Sequence, residues 1–400
     1  MKKKLRLGRL FYYLEHRNPM SYFMKMFIAI ALVGTNIAHA AMPDGSYSDS
    51  SSPYSTSCCP LCHSIPMKGT LDDFFFTSDV LIFKACEDGL AFGTQTSTAA
   101  APFPTGLTDV NSRVKNVHPK WSVGYRLGIN YVNPCNCWVA SLFWTHFDTH
   151  MHHTFFQYPS IGGASQSFFT PGYGFTGYNS SDLSLIGSTY ARWKLRLNLL
   201  DVEFSRLFCI TECLTLRPHA GIRAAWMRQS YIISNTVIAS SVSSTIQQSR
   251  LKFEYEGAGL RGGLDTEWNL GCGLSLYGNA AVSTLYGVFN VKSQDAYSLD
   301  VLGTSLFDVE QKDDIYECSA VTDAALGLRW KGCFCDDTVA VTLNLGWEHH
   351  MFFNQNHFED FVKLSNSTAL NGPGGEVKNP QRQRGDLCLK GFTIGANLDY

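Results

Sequence analysis

Four sets of residues in this 400-residue chain have types and spacings that could do chemistry. Cys59, Cys62 and His63, inside Cys58-Cys59-Pro60-Leu61-Cys62-His63, satisfy the C-x-x-C-H pattern of haem c attachment, in which two thiols bond the porphyrin and the imidazole ligates iron. Such patterns recur by chance in Cys-rich tails, so disulfide cross-linking is the preferred use and no cofactor is expected. His146, His150, His152 and His153 form the second set, and the first three share strand parity, so one face of a strand could offer imidazoles to Zn2+. The rim of a loop also collects histidines for no chemical reason, and no metal site is expected. The third set, scattered Ser, His and acidic residues, contains no local nucleophile signature and no phosphate-cradling glycine pattern, so no enzymatic activity is expected. The fourth is the most extensive: Arg126, Lys194, Arg196, Arg217, Arg223, Arg261 and Arg329, with Asp265, Glu267, Asp323 and Glu348, recur at every second position opposite apolar residues. Charges in that pattern could line a water-filled lumen and tune which ions pass it. They could equally pair across strands and hold register.

Only strands can present that fourth set. In the last ten residues Phe392, Ile394, Ala396, Leu398 and Tyr400 share one face and Thr393, Gly395, Asn397 and Asp399 the other, because strand side chains alternate. The same split runs through Trp121, Val123, Tyr125, Leu127, Ile129 and Tyr131 against Arg126 and Asn130. Trp193, Leu195, Leu197 and Leu199 oppose Lys194, Arg196 and Asn198, and Ala220, Ile222, Ala224 and Trp226 oppose His219 and Arg223. Leu260, Leu264 and Trp268 oppose Arg261, Asp265 and Glu267; Leu326, Leu328 and Trp330 oppose Asp323 and Arg329; Val341, Leu343, Leu345 and Trp347 oppose Thr342, Asn344 and Glu348. Each run is long enough for the roughly 9 to 11 residues that a tilted membrane strand needs.

The connections alternate in length. Short ones occur at 133–137, 209–213, 269–273 and 331–336, and long ones at about 95–119, 150–190, 232–250, 292–315 and 350–385. That is the layout of an outer-membrane barrel, with turns in the periplasm and loops outside. All eight Trp lie in or beside the strands, and all but Trp144 are near strand ends, as the aromatic girdles of such barrels require. The expected fold is therefore an all-β, transmembrane, antiparallel up-and-down β-barrel of about 10–16 strands. An even count is expected, with Glu87 to Gly89 as a bulge or an unrecognised strand elsewhere.

Composition agrees. Aromatics make up 13% and charged residues only 16%, which suits strands with a lipid face better than a soluble domain with a charged skin. At the N-terminus Lys25, an apolar run from Met26 and Ala38-His39-Ala40 read as a signal peptide over 1–40, with Met20 as a second candidate start. A Cys- and Ser-rich periplasmic leader follows over 41–73, and the barrel occupies 74–400. Seven Lys or Arg and one Glu lie in 1–40, so their removal takes the formal charge from −2 to −8 and gives no reason to expect a nucleic-acid partner. Thirteen cysteines in an exported chain permit disulfides and leave one thiol over. Cys58, Cys59, Cys62, Cys135, Cys137, Cys209, Cys213, Cys272, Cys333 and Cys335 are the candidates, and those from Cys135 onward lie at the expected periplasmic rim.

The run Asp79-Val80-Leu81-Ile82-Phe83-Lys84-Ala85-Cys86-Glu87-Asp88-Gly89-Leu90 resembles the first-strand motif of the Legionella-type pore-forming outer-membrane proteins, which also occur in chlamydia-related bacteria. Leu200-Asp201-Val202-Glu203 and Leu216-Arg217-Pro218-His219-Ala220-Gly221-Ile222-Arg223 resemble later segments of that family, so the resemblance covers about residue 70 to Tyr400. It implies a porin in the outer membrane of a Gram-negative bacterium, admitting small hydrophilic solutes and ions by passive diffusion. The implied partners are outer-membrane lipid, those solutes, and other Cys-rich envelope proteins joined through disulfides; a homo-oligomer is compatible with it. The alternative is a structural or adhesive barrel with a plugged lumen that acts through surface loops and disulfides.

Overall fold

A computed structural model of the chain describes residues 74–99, 109–133, 137–156, 165–172, 186–211, 213–240, 243–299, 304–334, 339–364, 377–382 and 385–399. The signal peptide and leader, and with them Cys58, Cys59, Cys62 and His63, lie outside the described residues, as do Cys135 and Cys335.

Sixteen strands are described: β1 (Phe74–Glu87), β2 (Ala91–Ala99), β3 (Asp109–Asn116), β4 (Trp121–Asn133), β5 (Trp138–Phe156), β6 (Ser165–Pro171), β7 (Ile186–Arg206), β8 (Phe208–Cys209), β9 (Leu214–Ser240), β10 (Ser243–Gly271), β11 (Leu274–Leu299), β12 (Thr304–Phe334), β13 (Val339–Phe352), β14 (Glu359–Leu364), β15 (Val377–Arg382) and β16 (Leu387–Asp399). Ten of them pair in the order β16-β1-β4-β5-β7-β9-β10-β11-β12-β13 and close because β13 pairs with β16. Every pairing is antiparallel. The result is a closed antiparallel barrel of ten strands, at the lower bound of the sequence expectation. The C-terminal strand is the seam, hydrogen-bonded to β1 from Phe76↔Leu398 to Glu87↔Leu387.

Short connections gather at the end that holds Phe74 and Asp399. The tightest joins β10 to β11 through Cys272 and Gly273, with φ of 53° and 76°. Positive φ at both central residues is the two-residue hairpin geometry whose twist matches that of the flanking strands. At the opposite end β2, β3 and β6 form a separate three-stranded sheet, and β14 pairs with β15.

Three expectations need correction here. Glu87 to Gly89 is neither bulge nor barrel hairpin: β1 ends at Glu87, Gly89 turns the chain at φ 83°, and β2 leaves the barrel for the small sheet. Residues 232–240, 243–250, 292–299 and 304–315 are not loop but the far ends of β9–β12, strands of 26 to 31 residues that far exceed what a bilayer needs. Their polar residues hid an alternation that persists as Tyr231, Ile233, Asn235 and as Leu251, Phe253, Tyr255, all buried. Finally, β7 is inverted relative to the expected facing. Trp193, Leu195, Leu197 and Leu199 are buried inside the barrel, and Lys194 and Arg196 are exposed outside it. An apolar row marks the lipid side only where the lumen is wet, and β7 borders a stretch of lumen that is itself apolar.

Six of the remaining seven tryptophans, Trp121, Trp138, Trp144, Trp268, Trp330 and Trp347, are exposed on the outer face, with Val123, Leu127, Ile129, Leu260, Leu326, Leu345, Phe392 and Ile394 between them. Trp226, mid-strand in β9, is half-buried.

Candidate functional site: the divided lumen

The interior splits into two zones along the barrel axis. Toward the short-turn end it is hollow and carries many charges: a cavity of about 920 Å3 is lined by Phe75, Thr77, Asn130 and Asn344 from the wall, and by Thr211, Cys213 and Gly273 from the turns. Its charged lining is nearly balanced, with Arg126, Arg217, Arg223, Arg261, Arg329 and Lys331 against Asp79, Asp201, Glu203, Asp265, Glu267, Asp323 and Glu348.

These charges form two tiers. Nearest the turns, Arg217 donates to Asp265 (2.9 and 2.6 Å), and Arg329 donates to Glu267 (2.5 Å) and Asn344 (2.7 Å). Above them a belt crosses the lumen. Arg126 on β4 donates through Nη2 and Nη1 to Glu348 on β13 (2.6 and 3.1 Å), and its Nη1 lies 3.4 Å from Asp79. His350 joins Glu348 (2.9 Å) to Asp323 (2.7 Å). Arg223 on β9 donates to Asp201 (2.6 and 2.8 Å) and, two strands beyond its neighbour, to Asp323 on β12 (2.8 Å). Arg261 pairs with that same Asp323 and donates to Glu203 (2.6 Å), which His219 contacts through Nδ1 (3.0 Å). Because β4 and β13, and β9 and β12, are not neighbours in the sheet, these bonds are braces across the barrel and not rungs along its wall.

Toward the other end large aromatic and aliphatic side chains are packed inside the barrel, with Glu87 and Gln229 among them. Phe83 packs on Phe147 (6.0 Å between centroids) and on His350 (5.6 Å), so the closure begins where the belt stops. Above it lie Trp193, Tyr231, Phe253, Tyr255 and Phe289, all at or below 1% exposure. Two of the polar ends are satisfied locally, Trp193 Nε1 donating to Gln229 (2.7 Å) and the Tyr231 hydroxyl to the Leu90 carbonyl (2.8 Å), while the Tyr255 hydroxyl has no hydrogen-bond partner among the described residues. A narrow barrel leaves room for little more than its own inward side chains, and here they are large.

One non-strand piece completes the closure. Residues 355–358, between β13 and β14, turn into the lumen and are fully buried or nearly so. Phe358 meets Phe253 (5.2 Å) and Tyr231 (5.8 Å), and His357 meets Phe289 at a tilt (4.0 Å). Asn356 ties the piece down, donating from its side chain to the Asp88 carbonyl (2.5 Å) and from its backbone to that of Gly385 (3.0 Å). Gln355, at 0% exposure, has neither amide atom bonded among the described residues. An unsatisfied buried amide costs roughly 1–3 kcal/mol, so this segment is held less firmly than its burial alone suggests.

The structure places Arg126, Arg217, Arg223, Arg261, Asp265, Glu267, Asp323, Arg329 and Glu348 in the lumen and brings all of them into ion pairs. Lys194 stays outside, and Arg196 pairs there with Asp148 (3.0 Å). Asp79, Asp201 and Glu203 also face the lumen, each at the end of a largely apolar inward row, and His219 and His350 lie in the polar inward rows of Arg217, Arg223 and Glu348. Among the histidines, His150 and His152 face outward and His153 instead meets Phe92 and His118 (5.5 and 5.3 Å). Among the disulfide candidates, Cys137 is disulfide-bonded, whereas Cys209, Cys213 and Cys272 are free and exposed, and Cys333 lies at the end of β12.

Among solved structures, the chain is similar to the outer membrane protease OmpT of Escherichia coli at 11% identity, covering 84% of this chain and 99% of that one with a TM-score of 0.34. It is also similar to a mutant of the monoaromatic hydrocarbon channel TodX, at 8% identity, 85% and 93% coverage and a TM-score of 0.27. A Pseudomonas aeruginosa FadL homologue matches at 8% identity, 81% and 89% coverage and a TM-score of 0.23. No curated protein matches. The family model described as Legionella pneumophila major outer membrane protein precursor matches residues 71–400, the whole of the barrel. With a closed ten-stranded barrel girdled by outward aromatics, the chain belongs to that family of outer-membrane proteins.

Proposed function

We propose that this protein is a porin-type channel for small hydrophilic solutes and ions whose lumen is shut in the conformation described. The observation that carries the reading is the charge-lined cavity of about 920 Å3 at the short-turn end, which by the usual layout of such barrels faces the periplasm. A barrel serving only as scaffold needs no hollow, charge-lined interior. Passage requires residues 355–358 to leave the upper lumen, and no catalysis is part of this reading. Six cationic side chains against seven carboxylates make selectivity weak, with a slight preference for cations. Arg217→Glu removes one positive charge from the lining and adds a negative one beside Asp265. In planar bilayers under a salt gradient, its reversal potential moves toward the cation limit; an unchanged potential would mean that Arg217 is off the conducting path.

The apolar packing of the upper lumen favours a second reading, a plugged structural barrel. Liposome swelling separates the two: solute entry through folded protein supports the channel, and its absence from every variant supports the plug.

The exposed thiols of Cys209, Cys213 and Cys272 lie at the periplasmic rim, where disulfides to neighbouring Cys-rich envelope proteins can form. Membranes prepared with thiols blocked are expected to give high-mass species on gels that reductant converts to monomer. Monomer under both conditions removes the cross-linking role.

A further inference from the structure

The charges that line the lumen cavity are all in ion pairs, but a group on the outer face is not. Lys84 on β1 lies directly opposite Lys390 on β16, and Lys390 lies directly opposite His349 on β13. Like charges opposite each other on neighbouring strands are destabilising. Among the described residues no carboxylate pairs with either lysine. A second lysine row, Lys252, Lys292 and Lys312 on adjacent strands, is partly answered, Lys312 carrying Glu310 at 3.1 Å.

The place of the first row matters as much as its charge. Lys84 Nζ sits 4.7 Å from the centre of the Trp121 ring, which is opposite it on β4. One step toward the short-turn end, Phe392 stacks on Trp121 (6.1 Å) and meets Trp347 edge-on (4.8 Å), all three rings exposed. Beyond them on the outer face come Ile394 and Val80, both exposed. The row therefore stands where the hydrocarbon band ends, on the side away from the periplasmic turns. Aromatic rings collect at that boundary, and lysines there meet headgroups.

We propose that the outward face of the β13–β16–β1–β4 seam binds the phosphorylated headgroup of an outer-leaflet lipid, Lys84 and Lys390 holding the phosphate while Trp121, Trp347 and Phe392 take the acyl chains. A phosphate between the two ammonium groups supplies the counter-charge that the protein does not. The site lies on the outside of the barrel and is independent of the channel reading.

The test is calorimetric titration of the full, detergent-folded chain with lipid A bisphosphate in mixed micelles, beside its dephosphorylated form and inorganic phosphate. The double variant Lys84→Gln/Lys390→Gln is expected to bind the bisphosphate about thirtyfold more weakly, which is about 2 kcal/mol at 1.4 kcal/mol per tenfold. Lys390→Gln alone should lose about fivefold. Lys292→Gln, in the other row, should bind as wild type, and the dephosphorylated lipid should not distinguish wild type from the double variant. Wild-type affinity in the double variant, with heat-modifiable mobility intact, overturns the site. Displacement of the lipid by inorganic phosphate at equal concentration would assign the lysines to a soluble anion and overturn the lipid assignment.

Discussion

Arg223→Ala is expected to destabilise the barrel by about 3–5 kcal/mol, the cost of leaving a buried ion pair with one partner missing. Arg223 is 2% exposed and holds two carboxylates, Asp201 at 2.6 and 2.8 Å and Asp323 at 2.8 Å. Asp323 retains Arg261 and His350, but Asp201 has no other ion pair among the described residues. The loss therefore falls mainly on one stranded carboxylate and on the brace between β9 and β12. Unfolding in denaturant, followed through heat-modifiable mobility, should show a lower midpoint. Arg223→Met/Asp201→Asn should recover much of it, because replacing both members of a buried pair is often neutral. A single variant as stable as wild type would mean that the belt does not brace the barrel.

Phe358→Ala should act on the other zone and in the opposite sense, by gain of conduction. Truncating a buried Phe costs roughly 3–5 kcal/mol, and Phe358 is buried only while residues 355–358 occupy the lumen. A loss of about 3 kcal/mol from the closed state alone raises the ratio of open to closed by about a hundredfold. Liposomes carrying this variant should swell in small sugars far faster than those carrying wild type, while larger solutes remain excluded. Equal swelling at equal folded fraction would show that the segment does not limit entry.

The seam, the antiparallel order and most of the lumen charges were legible in the sequence because lipid and water sort alternate side chains. Arg126, Arg223, Arg261, Asp323 and Glu348 stand out since a charge facing lipid is costly, so each fixes the facing of its own strand. Trp193 and Leu195 carried the wrong message on β7 because an apolar row looks the same whether it faces hydrocarbon or a packed lumen. Lys194 and Arg196 followed them to the wrong side. Asp201 and Glu203, farther along the same strand, hold the correct facing and were the residues to trust. The braces themselves could not be read, since Arg126 and Glu348 are joined by barrel closure and not by any spacing along the chain. Nor could the fate of residues 355–358, which sit in a polar stretch with no strand period and enter the lumen through tertiary packing alone.

The most direct test is single-channel recording of wild type beside Phe358→Ala in planar bilayers, each checked for heat-modifiable mobility. Wild type should show rare, discrete openings between long closed intervals, and the variant should show steps of the same kind far more often. A wild-type pore that stands permanently open would contradict the closed upper lumen. Silence from both folded proteins would contradict the channel and leave the barrel as scaffold.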